Sequence, residues 1–194
     1  MNRSIHSRWL YAYRPVELSS GPPRCRPLEM SRFFSRDPHA VPCLARADVL
    51  ELLLYSMLTA VDDGTWAHAC PAGKALSNLL LQVEPARRPF VQTRPVKRIL
   101  TWLDDHAAPS EATADLKLVQ IRLLFLLFAT TAQAVAAAKQ GAVGLHTLVA
   151  VVKLQVQAAA GRELSESESG IINEGLKCIF CLTNSWSDPA VYAE

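Results

Sequence analysis

Cysteine, histidine, paired carboxylates and amides are the places where chemistry would start in this chain. Cys178 and Cys181 form a C-x-x-C, the spacing of a redox pair or of half a zinc site. No second Cys or His pair stands near enough to complete four ligands, so the plainer reading is two small buried side chains one helical turn apart. Asp104-Asp105-His106 has the residue types of an acid-base dyad, but a single local D-D-H after a helix reads as a polar C-terminal turn. His6, His39, His68, His106 and His146 are scattered, without an acid or cysteine at metal or nucleophile spacing, and no P-loop or dinucleotide-binding glycine pattern occurs. The sequence therefore predicts no enzyme, no metal, no cofactor and no small-molecule substrate.

What remains is the chemistry of contact. Asn78 carries an amide that donates and accepts at once, as a reader of peptide backbone must. Arg122 and Lys177 offer cations to the acidic end of a docked helix, the arginine as a two-pronged fork. Arg87, Arg88, Arg94, Lys97 and Arg98 form the one basic cluster outside the N-terminal region. A solvated helix end explains such a run, and so does a positive rim that steers an acidic partner or lies against anionic lipid, which would bring peripheral membrane association.

The elements that hold these residues follow from composition. The 194 residues are 50% hydrophobic and 20% charged with a net charge of +2, enough for a real core and no global footprint for nucleic acid. Residues 1–46 hold eight arginines, three acids and six of the 12 prolines, a net +5; the rest holds 12 basic and 15 acidic residues, a net −3. Prolines 15, 22, 23, 27, 38 and 42 leave no room for a useful helix, so 1–46 reads as a poorly ordered basic leader and 47–194 as the folded body. Met1 to Arg14 has some look of a mitochondrial transit peptide. Five cysteines, odd in number and without the short paired spacings of a secreted disulfide framework, point to a reducing compartment. The apolar stretch from Leu123 to Ala138 is short for a membrane span.

From Ser110 to Asp188 there is no proline, and the leucine- and alanine-rich content predicts long helices. Leu123 to Phe128 is apolar on every side, as a helix buried among helices must be. Val152, Leu154 and Val156 alternate like a strand but also fit a helical face with Leu145, Leu148 and Val149; helical neighbours decide for helix. Ala47 to Leu58 reads as the first amphipathic helix, with Asp48 near its start.

Similar segments recur. The leucine-rich stretches around Leu76, Leu123 and Leu176 are spaced 47 and 53 residues apart, close to the period of stacked armadillo or HEAT repeats. A polar insertion from Ala160 to Gly170 accounts for the longer step, and Ser165-x-x-Glu168 within it fits a capping box. Between the marker segments, Gln140 to Val149 and Thr93 to Leu100 read as turns opening further helices, with Gly141 free to take a positive φ and Pro95 at a first helical position. Ala75-Leu76-Ser77-Asn78-Leu79 matches the armadillo A-L-x-N-L pattern, whose asparagine lines the groove. The reading is an all-α, armadillo/HEAT-like helical solenoid, ending without an evident polar cap and so expected to be a fragment, with Trp186 and Tyr192 at an open end.

Two of these segments carry a resemblance. Leu118 to Ala129, with Ile121-Arg122-Leu123-Leu124-Phe125-Leu126-Leu127 at its centre, resembles the R-L-L-F-L-L-T-A signature of the synembryn family, and Glu174 to Thr183 resembles its later E-x-L-K-x-L-F-N-x-T helix. The departures are Phe128 at the first signature's threonine and Cys181 at the second's asparagine. The resemblance implies a guanine nucleotide exchange factor and folding chaperone of G-protein alpha subunits, which takes the C-terminal helix of its client in a concave groove. It implies action by population shift, in the cytoplasm and at the cell cortex. Asn78, Arg122 and Lys177 are the candidate groove residues, with Arg94 and Arg98 at the rim. A generic armadillo or HEAT scaffold for another peptide is the alternative.

Overall fold

The computed structural model describes residues 34–37, 39–59, 66–140 and 143–184, except the side chains of 66–68 and 143. The transit-like start, Cys25, His6, the His68 side chain, Gly141, Trp186 and Tyr192 lie outside the described residues. Among those described there is no strand. The helices are α1 (Val41–Leu44), α2 (Ala47–Thr59), α3 (Trp66–Gln82), α4 (Arg87–Gln92), α5 (Pro95–Asp105), α6 (Glu111–Thr130), α7 (Ala132–Lys139), α8 (Val143–Ala158) and α9 (Glu166–Asn184). The ambiguous stretch from Val152 to Val156 is helix, inside α8. Among the described residues no single helix is long and apolar enough to cross a membrane; α6 and α7 together would be by length and composition, but they are bent by 116°.

Local chemistry sets the boundaries. Asp48 stands in the first turn of α2, as expected, and its carboxylate takes two hydrogen bonds of 3.1 Å from the Arg46 guanidinium. Pro95 is the first residue of α5, where its missing N–H costs nothing. At Thr131 the backbone turns extended (φ −143°, ψ 110°), which ends α6 and starts α7. The capping box at α9 forms in full: the Glu168 N–H donates to Ser165 Oγ at 3.3 Å, and the Ser165 N–H donates to the Glu168 carboxylate at 2.9 Å. Arg162 adds a guanidinium to the same carboxylate, and these donors hold the Glu168 carboxyl down at about 2. The insertion is accordingly shorter than its polarity suggests, because Glu166 to Gly170 is already the first turn of α9.

Packing arranges the helices in two layers. The three marker helices α3, α6 and α9 lie side by side in that order, and the α6–α9 contact is the most extensive in the molecule. On the other layer α5 touches both α2 and α8, while α2 packs on α3 and α8 on α9. Two glycines bring backbones within reach. A Cβ at Gly73 in α3 would stand 2.5 Å from Val119 Cγ1 of α6, and one at Gly175 in α9 would stand 2.5 Å from Val152 Cγ2 of α8. The core runs through both layers and includes Leu54, Leu76, Leu103, Leu124 and Leu148, all with no exposed surface. It also reaches before Ala47, since Ser35 and Val41 are buried.

Candidate partner-binding face

Most of α6 is committed to its neighbours. Val119 meets α3, Leu118 lies under Gly170 of α9, and the Ile121 carbonyl accepts the Cys178 thiol at 3.5 Å. One stripe is left toward solvent, running through Asp115, Arg122, Leu126 and Ala129 at helical spacing. The matching stripe of α9 passes through Lys177, Phe180, Cys181 and Asn184.

The two stripes meet at Glu174. Its Oε1 lies 3.1 Å from Lys177 Nζ and 3.9 Å from the Arg122 guanidinium, so one carboxylate ties the cations of adjacent rungs together. Lys177 Nζ also stands 5.3 Å from the centre of the Phe125 ring. Both cations remain about half exposed, while Glu174 keeps only 16% of its side-chain surface. Beside them Phe180 is 65% exposed and Leu176 52% exposed. The arrangement offers two cations oriented by one acid next to exposed apolar surface, which suits an amphipathic helix with an acidic end.

Asn78 serves the chain itself. Its Nδ2 donates to Ser35 Oγ at 3.2 Å, and one turn on, Gln82 Nε2 donates to the Ser35 carbonyl at 2.6 Å. The amide expected to read a partner's backbone thus holds residues upstream of α2 against α3. Arg98 lies 3.8 Å from Glu51 of α2, and Arg94 precedes α5, so these two belong to the other layer and are not brought together with Arg122 and Lys177. Arg87 caps α3, giving its guanidinium to the Leu80 and Leu81 carbonyls at 2.7 and 3.0 Å.

Glu174, Phe125 and Phe180 do not stand out as site residues in the sequence, although a usable signal exists. Phe125 lies three residues beyond Arg122, and Glu174 and Phe180 lie three either side of Lys177, which places them on the same helix faces.

The cysteine and histidine motifs resolve into packing. Cys178 is fully buried and burial pushes its thiol up; burial does the same at Cys181. A thiol held protonated is a poor nucleophile and metal ligand. His106 ends α5, its Nδ1 2.9 Å from the Trp102 carbonyl and its ring stacked on Trp102 at 4.3 Å, while Asp104 accepts the Thr147 hydroxyl at 3.0 Å. Among the described residues no three His, Cys, Asp or Glu side chains are grouped to hold a metal ion.

The family model described as guanine nucleotide exchange factor synembryn matches residues 27–191, beginning inside the Pro-punctuated leader and covering every described helix. No curated protein and no solved structure matches the chain at a significant level. With both signature helices adjacent in space and the match spanning most of the sequence, the chain belongs to the synembryn family of guanine nucleotide exchange factors.

Proposed function

We propose that this chain acts on heterotrimeric G-protein alpha subunits as an exchange factor and folding chaperone, receiving their C-terminal helix on the face shared by α3, α6 and α9. The observation that carries this reading is the junction at Glu174, where Arg122 and Lys177 from adjacent marker helices flank one carboxylate beside the exposed Phe180. The family membership supplies the exchange activity, and the face supplies a surface of the right chemistry.

The mechanism needs no bond chemistry. A surface that grips the C-terminal helix better in the nucleotide-free conformation draws the population toward that form and so loosens GDP. The same grip shelters a newly made G-protein whose nucleotide site is still empty. On this reading the marker-helix layer is the concave side of a curved solenoid, and the protein works in the cytoplasm and at the cell cortex.

Pull-down with alpha subunits tests this reading. The nucleotide-free form is expected to bind at least about tenfold tighter than the GDP-loaded one, the differential that population shift requires. Equal binding of both forms would leave only a peptide scaffold without exchange function.

A further inference from the structure

The corner formed by α4, the following turn and the start of α5 carries cations that the partner-binding face does not use. Arg87 caps α3 and Arg98 faces Glu51, but Arg88, Arg94 and Lys97 are exposed, with no acid paired to them among the described residues. Arg94 immediately precedes α5 and Lys97 stands in the first turn of that helix. Pro85 and Pro89 are exposed at the same corner, and Leu81, next to the carbonyl-capping Arg87, is 63% exposed.

Arg94 adds an independent observation. Its backbone is left-handed, with φ 58° and ψ 42°, a conformation that glycine adopts freely and a side chain adopts at a cost. A cation kept where the backbone favours glycine, exposed and without a protein acceptor for its charge, is a candidate for use outside the fold. Beside Arg88 a shallow notch opens between α4 and the start of α7, lined by Glu84, Arg87, Arg88, Thr130, Thr131 and Gln133.

We infer that this corner is a docking surface for an anionic lipid bilayer, with Arg88, Arg94 and Lys97 as its contact cations. A bilayer suits what is present better than an acidic protein does. The cations are long, mobile heads at helix ends with no apolar pocket between them, and a diffuse negative surface needs only their proximity. Exposed Leu81, Pro85 and Pro89 add apolar contact at the headgroup level.

Sedimentation with vesicles of neutral phosphatidylcholine, with and without phosphatidylserine, tests the inference on the full chain, its arginine-rich N-terminal residues being common to every variant. The triple variant Arg88→Gln, Arg94→Gln, Lys97→Gln is expected to partition into the anionic vesicles about 100-fold more weakly, at roughly a fivefold factor for each cation lost near the surface. The charge-matched variant Arg122→Gln, Lys153→Gln, Lys177→Gln, on α6, α8 and α9, is expected to keep most of its partition. Arg94→Gly relieves the backbone and removes one cation, so it is expected to melt no lower than the parent yet bind these vesicles more weakly. Equal partition of the two triple variants would overturn the inference. So would unchanged partition of the corner variant accompanied by lost affinity for a peptide copying the G-protein C-terminal helix, which would assign the corner to a protein partner.

Discussion

The helices α5 and α6 meet in the core but spend their surfaces differently. In α6, 12 of 20 residues are buried, on nearly every side, because it is the middle rung with α3 on one flank and α9 on the other. In α5, Val96, Ile99, Leu100 and Leu103 line one face, while Lys97, Thr101, Asp104 and Asp105 are left to solvent. A helix committed on most sides has few residues free to bind anything, so those few identify its working face. A one-sided helix has a whole polar face to spare, and its charges need no explanation until one of them, here Arg94, stands in a costly backbone conformation.

The sharpest way to break this contrast is to empty the middle rung. Leu124→Ala in α6, fully buried, is expected to destabilise by about 2 to 5 kcal/mol in denaturant unfolding, whereas Leu81→Ala on exposed surface is expected to change stability by less than about 0.5 kcal/mol. Comparable losses at both positions would mean that α6 is not central.

A smaller effect tests the closeness of the layers. Gly175→Ala sets a Cβ into Val152, and after allowing for the better helix propensity of alanine the expected loss is about 1 to 2 kcal/mol by thermal unfolding. An alanine that stabilises α9 would place α8 farther away than described. Ser165→Ala removes the cap of the same helix and is expected to cost about 1 kcal/mol.

The pH dependence separates two ionisable groups. Glu168 is held at about 2, below its ordinary 4.5, so its contribution is whole above pH 4.5 and fades as the pH falls toward 2. Melting curves of the parent and of Glu168→Gln are therefore expected to converge at the acid end. Lys117 of α6 is buried, its ammonium donating to the Ala108 carbonyl, and desolvation lowers it to about 8 from 10.5. The unfolded chain binds that proton more firmly, so stability is expected to rise between pH 8 and 10.5, and Lys117→Met is expected to remove the rise.

Much of this is legible in the sequence because it is local. The all-round apolar run at Leu123 to Phe128, the Ser165 to Glu168 box, the proline start of α5 and the packing role of Cys178 each depend on residues within a turn or two. Asn78 shows where locality ends. Its pattern matches a ligand-reading asparagine, but its partner Ser35 lies 43 residues away in a stretch whose prolines argue against any packed role. Gly73 and Gly175 likewise gain their meaning only from Val119 and Val152, which no spacing rule connects to them. Glu174 stands in one of the two signature segments, yet its role as the shared partner of Arg122 and Lys177 requires knowing that α6 and α9 are neighbours.

The central claim is that the α6–α9 edge, and not the other layer, receives the tail of the G-protein. Titration of a peptide copying that C-terminal tail into two charge-matched variants tests it most directly: Arg122→Glu with Lys177→Glu on the edge, and Lys97→Glu with Lys153→Glu on α5 and α8. The account predicts that the first pair weakens the peptide at least about tenfold while the second changes it by less than about threefold. Equal losses in the two variants, or a loss confined to the second, would contradict it.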